Sequence, residues 1–194
     1  MKKADCDNLF YDLMLAHCND RVASGACNGW AATYSYFVQQ VSVSPNPPRN
    51  YAVIAQHSGK CLDVEGGSFD HGARLIQWAC HYGNNQQFQI NYPGFVDPVD
   101  YNLRSKQSGK CVAVWDYGLS TEIRQGVCEP QSTHFLWWVK GYGSVNQYTF
   151  RPRSSANWSE CLDVPYSSIA NGVGLIRYPC FETSNQRWAI VHLS

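Results

Sequence analysis

Two sets of residues a hundred positions apart repeat one combination of side chains: Asp63, Trp78 and Asn85, then Asp163, Tyr178 and Asn185. A carboxylate accepts two hydroxyl hydrogen bonds, a carboxamide both donates and accepts, and an aromatic ring covers an apolar face. Those are the demands that a neutral ring of vicinal hydroxyls with one C–H face makes on a site in water. Gln86 and Gln186 stand directly behind the two asparagines, and His81 lies at the rim of the first set. Each residue has a plainer reading. An Asp two positions after a cysteine caps a turn, Trp78 and Tyr178 serve equally as core, and His81 has Glu129 and Phe181 in its slot elsewhere. It is the concurrence that points to binding. Because the matching position in the middle of the chain is Gly126, the aromatic place can be emptied, which fits an exposed platform better than a core residue.

The elements that position these residues are copies of one another. Cys61-Leu62-Asp63-Val64, Cys111-Val112-Ala113-Val114 and Cys161-Leu162-Asp163-Val164 begin fifty residues apart, the mark of a structural unit whose copies share a core. The middle copy lacks the set: Ala113 replaces the Asp, Gly126 the aromatic and Phe135 the Gln. That site is expected to be dead. A second cysteine follows in each copy, Cys61 to Cys80, Cys111 to Cys128 and Cys161 to Cys180. Six cysteines allow fifteen pairings, and repeat symmetry selects the one within each copy, each bond closing a loop worth about 3 kcal/mol in the chain-entropy model. Phe88, Trp137 and Trp188 recur once per copy and are expected to meet in the shared core. Dense turn signals such as Ser58-Gly59-Lys60 and Asn171-Gly172 separate short β-rich runs, about four per copy, so the copies read as an all-β unit of twelve strands.

Composition narrows the function. Fifteen basic and fifteen acidic residues cancel, which removes the footprint of a nucleic-acid or anionic-membrane binder. Nine cysteines without a C-x-x-C pair or a nearby histidine cluster point to disulfides and an extracellular destination rather than to metal. No apolar run is long enough to span a bilayer. The charged start, Met1-Lys2-Lys3, has no apolar stretch behind it and reads as that of a mature chain. No cofactor is implied, and no loop gathers enough carboxylates for calcium.

The Cys-Leu-Asp-Val motif, the run Gly72 to His81 and Asn85-Gln86-Gln87-Phe88 closely resemble the R-type lectins, the ricin B-chain family of β-trefoils. The likeness runs from about Tyr51 to the C-terminus. It implies a six-stranded barrel capped by three hairpins, with sugar bound by Asp63, Trp78, His81, Asn85 and Gln86 in the first copy and by Asp163, Tyr178, Asn185 and Gln186 in the third. The implied partners are glycans of the galactose or N-acetylgalactosamine type, held weakly at each site and usefully by two sites together. One departure concerns specificity: galactose binders often carry Gln two residues before the aromatic, where this chain has Ile76 and Ile176, with Gln77 and Arg177 one residue later. Asn157-Trp158-Ser159 matches the N-glycosylation acceptor pattern.

The trefoil is expected over residues 46–194, in repeats of about 50–98, 99–148 and 149–194, behind a small disulfide-tied helical segment over 1–45. There Cys6, Leu9, Phe10, Leu13, Met14 and His17 share a helical face, and a second helix is expected from Trp30 to Val41, ended by Pro45-Asn46-Pro47-Pro48. The run from Cys6 to Met14, with Cys18 and Cys27, is similar to part of the secreted phospholipases of the A-two class, with Asp7 as counterpart of the Asp that orients their catalytic His. The His and the calcium loop have no match here, and an Asp without its His activates no water. No catalysis is therefore expected. Cys6, Cys18 and Cys27 are odd in number, so either one stays a free thiol or one bond leaves the segment, as to a disulfide-linked partner chain. The expected function is a lectin, against the alternatives of a targeting chain of a split, toxin-like phospholipase and of a protein-binding scaffold.

Overall fold

The structure, a computed structural model, describes residues 49–91, 100–115, 121–129, 132–142, 146–155 and 159–193. The helices expected within 1–45, with Cys6, Cys18 and Cys27, lie outside the described residues, as do Asn157 and Trp158. The chain divides between Pro48 and Arg49, and the described residues all belong to the second unit.

Among the described residues thirteen strands are formed: β1 (Asn50–Ala55), β2 (Cys61–Val64), β3 (Leu75–Trp78), β4 (Phe88–Asn91), β5 (Asp100–Ser105), β6 (Cys111–Val114), β7 (Ile123–Gly126), β8 (Trp137–Gly141), β9 (Tyr148–Pro152), β10 (Glu160–Asp163), β11 (Val173–Gly174), β12 (Ile176–Pro179) and β13 (Trp188–Leu193). The strand beyond the expected twelve is β11, two residues that pair with β3. Six strands close into a ring, each antiparallel to the next: β1 with β4, β4 with β5, β5 with β8, β8 with β9, β9 with β13, and β13 back to β1. Closure leaves no open edge in that barrel. Period-two alternation fills it: Phe88 and Ile90 are buried on β4, Trp188 and Ile190 on β13, while the residues between them are only partly covered. Phe88, Trp137 and Trp188 are all fully enclosed. The indole N–H groups of Trp137 and Trp188 donate to the carbonyls of Val112 and Leu162, at 3.0 and 3.2 Å, so burial leaves neither unsatisfied.

Apart from β11, the other strands form three hairpins, β2–β3, β6–β7 and β10–β12, each tied by its own disulfide: Cys61–Cys80, Cys111–Cys128 and Cys161–Cys180. They interlock through Leu75, Ile123 and Leu175, which are buried. Leu175 N–H donates to Leu75 O at 2.9 Å, and Ile123 N–H to Leu175 O at 3.0 Å. Two glutamines fasten one repeat to the loop of another. Gln77 accepts from the Ser58 hydroxyl at 2.8 Å and donates to the carbonyls of Ser168 and Ala170 at 2.6 and 2.8 Å. Gln125 does the same with Ser108 at 2.6 Å and with Ser68 and Asp70, both at 2.9 Å. Both side chains are fully buried. Gln77 therefore works inside the fold, and its closeness in sequence to Trp78 does not make it a ligand for anything bound there.

Removing the Gln77 carboxamide strands one hydroxyl and two carbonyls. Gln77→Ala is expected to cost about 2 kcal/mol of unfolding free energy, read as a lower urea midpoint at unchanged m-value. An unchanged midpoint would show that these bonds contribute nothing.

Candidate functional site

Asp63 sits on β2, directly opposite Ile76 of β3, and Cys61 sits opposite Trp78. Opposed and next-but-one residues share a face of a hairpin, so the carboxylate, the half-cystine and the indole project together. The carboxylate is nearly enclosed, a position that demands compensation. Gln86 supplies it. Its Nε2 donates to Asp63 Oδ2 at 2.7 Å and to Ala79 O at 3.1 Å, while its Oε1 accepts the N–H groups of His81 and Tyr82 at 2.8 and 3.0 Å. One side chain thus fixes both the acid and the backbone of the opposite rim. Asn85 donates to Asp63 Oδ1 at 2.9 Å, delivered by the short turn Asn84–Gln86.

Repeat three reproduces the arrangement. Gln186 donates to Asp163 Oδ2 at 2.7 Å and to Pro179 O at 2.9 Å, and accepts from the N–H groups of Phe181 and Glu182 at 2.8 and 3.0 Å. Asn185 donates to the same Oδ2, at 3.1 Å, and to Val164 O at 3.1 Å. Because both amides converge on Oδ2 here, whereas Asn85 and Gln86 divide between the oxygens of Asp63, the two carboxylates are braced by the same residue types in different ways. Gln86 and Gln186 are wholly buried with both amide ends engaged, so they position the acids and do not reach a ligand themselves.

Burial pushes both acids above their ordinary value, against the pull of these hydrogen bonds and, at Asp63, of His81. His81 Nε2 is 3.6 Å from Asp63 Oδ2, and its Nδ1 accepts the Gly83 N–H at 3.1 Å. On the same hairpin face as each acid stands an uncovered ring, opposite the half-cystine two residues before that acid: Trp78 is 42% exposed and Tyr178 49%. The neighbouring repeat abuts the indole. A methyl at Gly172 would come 3.6 Å from the Trp78 ring, and Asn171 Oδ1 accepts the Ala79 N–H at 3.0 Å. Asn171 escapes a repeat-by-repeat reading because its role crosses between repeats.

In repeat two the same place is filled with hydrocarbon. Cys111, Ala113 and Phe135 form a buried apolar cluster with Cys128 packed against it. Phe135, in the Gln slot, turns its ring over Gly126 so closely that a methyl there would lie 2.9 Å from the ring. The expectation that position 126 can simply be emptied is therefore corrected. Gly126 is itself buried, and it is glycine because Phe135 lies on it. The three replacements form one packing solution, and no acid or amide remains at that position.

Among the described residues no group of three or more His, Cys, Asp or Glu side chains could hold a metal ion, and no helix is long and apolar enough to cross a membrane.

Residues 49–188 match the family described as the ricin-type beta-trefoil lectin domain. Among solved structures, the designed threefold-symmetric protein ThreeFoil is 31% identical with a TM-score of 0.67, over 74% of this chain and 99% of its own. The C-half of the earthworm R-type lectin, solved in complex with GalNAc, is 21% identical with a TM-score of 0.61, over 75% of this chain and 100% of its own. The ricin B-like lectin of Macrolepiota procera, solved in complex with lactose, is 19% identical with a TM-score of 0.62, over 78% of this chain and 100% of its own. No curated protein matches the chain.

If Ala113, Gly126 and Phe135 are one solution, the substitutions at 113 and 135 are coupled. Ala113→Asp alone puts a carboxylate against the Phe135 ring and is expected to cost about 3 kcal/mol or more. Adding Phe135→Gln restores the brace and is expected to recover about half of that. Additive costs in a double-mutant cycle would contradict the coupling.

Proposed function

The chain belongs to the ricin-type β-trefoil lectin family, and on that footing we propose that it is a carbohydrate-binding protein that recognises galactose-type glycans through two sites, in repeats one and three. The observation that carries this reading is the pair of braced carboxylates, each sharing a hairpin face with an exposed ring, beside an apolar plug in repeat two. Asp63 and Asp163 accept hydrogen bonds from two sugar hydroxyls, Asn85 bonds a further hydroxyl, Asn185 does so only through the remaining lone pair of an Oδ1 that already accepts the Thr183 hydroxyl at 2.7 Å, and Trp78 and Tyr178 cover the C–H face. His81, beside Asp63, donates from the rim of site one. The process is reversible binding with no bond made or broken. The sugars held by the earthworm and Macrolepiota proteins, GalNAc and lactose, support the galactose assignment. With Ile76 and Ile176 opposite the acids, no polar side chain reaches the sugar from that direction, so each site relies on few hydrogen bonds. Weak single sites reach useful avidity when two engage one glycan-coated surface. The three disulfides and this ligand class together suit an extracellular protein.

Asp63→Ala with Asp163→Ala is expected to weaken binding of N-acetylgalactosamine by at least about 100-fold, since each removes charge-assisted hydrogen bonds worth about 3 kcal/mol or more. The same titration run downward in pH gives a second reading. Sugar hydroxyls donate to the ionised acid, so affinity should fall as the acids protonate, beginning above the ordinary value of 3.8 because both are raised. The sign for stability is opposite. A raised value in the folded state means that these two groups contribute most below the unfolded value and lose that contribution as pH rises through the folded one. Binding should therefore fade on acidification before the circular dichroism of the fold changes. Undiminished binding by the double variant, or a flat profile from pH 7 to 4, would overturn the proposal.

A further inference from the structure

We infer, resting on the lectin reading above, that the two sites take different ligands: repeat one reads a single terminal sugar, and repeat three reads that sugar together with the next pyranose of the glycan, through Phe181. The slot after the second half-cystine holds His81 in one repeat and Phe181 in the other. His81 turns inward, to 3.6 Å from Asp63. Phe181 stays outside, 68% exposed, its ring centroid 6.3 Å from that of Tyr178 and tilted by 55°. The sugar platform of repeat three is thus a pair of adjoining rings, whereas in repeat one the indole stands beside an imidazole and the exposed Tyr82 lies one residue further along the rim.

A large exposed ring beside a polar site is unexplained by core packing. Phe181 is held from behind. Its N–H donates to Gln186 Oε1, the carboxamide that also bonds Asp163. The next residue, Glu182, is in the left-handed region at φ 56° and pairs with Arg151 at 2.6 Å and Lys140 at 3.3 Å. The backbone that carries the ring is therefore set in one frame with the acid before any ligand arrives, which lowers the ordering cost of binding. The other rim of site three carries a second uncovered aromatic. Tyr166 is fully exposed, in the turn Pro165–Ser167 that packs against the turn bearing Asn185. It keeps φ 57° where repeat one has Gly66 at 64°, a conformation that disfavours side chains. Repeat one has only glycine there.

The chemistry such a surface recognises is the C–H face of a second pyranose, joined to a galactose-type residue held by Asp163 and Tyr178. The test isolates each site. Asp63→Ala leaves site three, Asp163→Ala leaves site one, and the Asp→Asn forms run alongside keep the comparison if an alanine form fails to fold. Calorimetry with methyl β-galactopyranoside and with lactose gives one ratio of affinities per site. Site three is expected to favour lactose by about three- to tenfold, the scale of one added aromatic contact, and site one by about twofold or less. Phe181→His in the Asp63→Ala background should bring the ratio of site three down to that of site one. Equal ratios at the two sites, or an unchanged ratio in the Phe181→His protein, would overturn the inference while leaving the lectin reading intact. Failure of every single-site protein to bind either sugar would overturn the galactose reading and this inference with it.

Discussion

The candidate sites depend on a carboxamide lying under a carboxylate. Asp63 and Asp163 are nearly enclosed, and an enclosed acid without donors would be expelled or neutralised. Gln86 and Gln186 meet that need at 2.7 Å. Their other ends hold the N–H groups of residues 81 and 82, and of 181 and 182. One glutamine therefore sets the depth of the acid and the path of the rim backbone. A change at Gln86 would act on Asp63, His81 and Tyr82 together, although the glutamine itself touches no ligand.

Threefold repetition builds the barrel, but chemistry is distributed unequally over it. Where Gln86 and Gln186 brace acids, Phe135 closes on Ala113 and Gly126 with apolar contact alone. Either solution fills the space between hairpin and barrel, the polar one at a desolvation cost offset by hydrogen bonds and the apolar one with no such cost. Repeat two gives up an acid and gains packing. The symmetric core of Phe88, Trp137 and Trp188 makes this exchange local, since it lies beneath all three positions whether or not an acid sits above. The cross-repeat bonds of Gln77 and Gln125 keep the hairpins together independently of what each one carries.

Much of this was legible in the sequence because it repeats. A fifty-residue period locates the hairpins, the cysteine spacing implies bonds within each copy, and the paired Asp, aromatic and Asn residues single out two places. What remained hidden arises between copies or from replacement. Gln77 read as a neighbour of the platform, and only the hairpin packing reveals that it reaches Ser168 and Ala170. Gly126 read as a vacancy, because the ring that covers it comes from a residue nine positions away whose role in the other repeats is polar. Phe181 stood out only as a failure to match His81. The thirteenth strand, β11, pairs across repeats, and no single copy contains a signal for it.

One fold here offers a braced acid and an open ring twice and a sealed surface once. A crystal structure with N-acetylgalactosamine at saturating concentration tests this most directly. One pyranose is predicted over Trp78 and one over Tyr178, each with hydroxyls within hydrogen-bonding distance of Asp63 or Asp163, and none over Phe135. Sugar bound at the repeat-two face, or both acids left without a sugar, would contradict it.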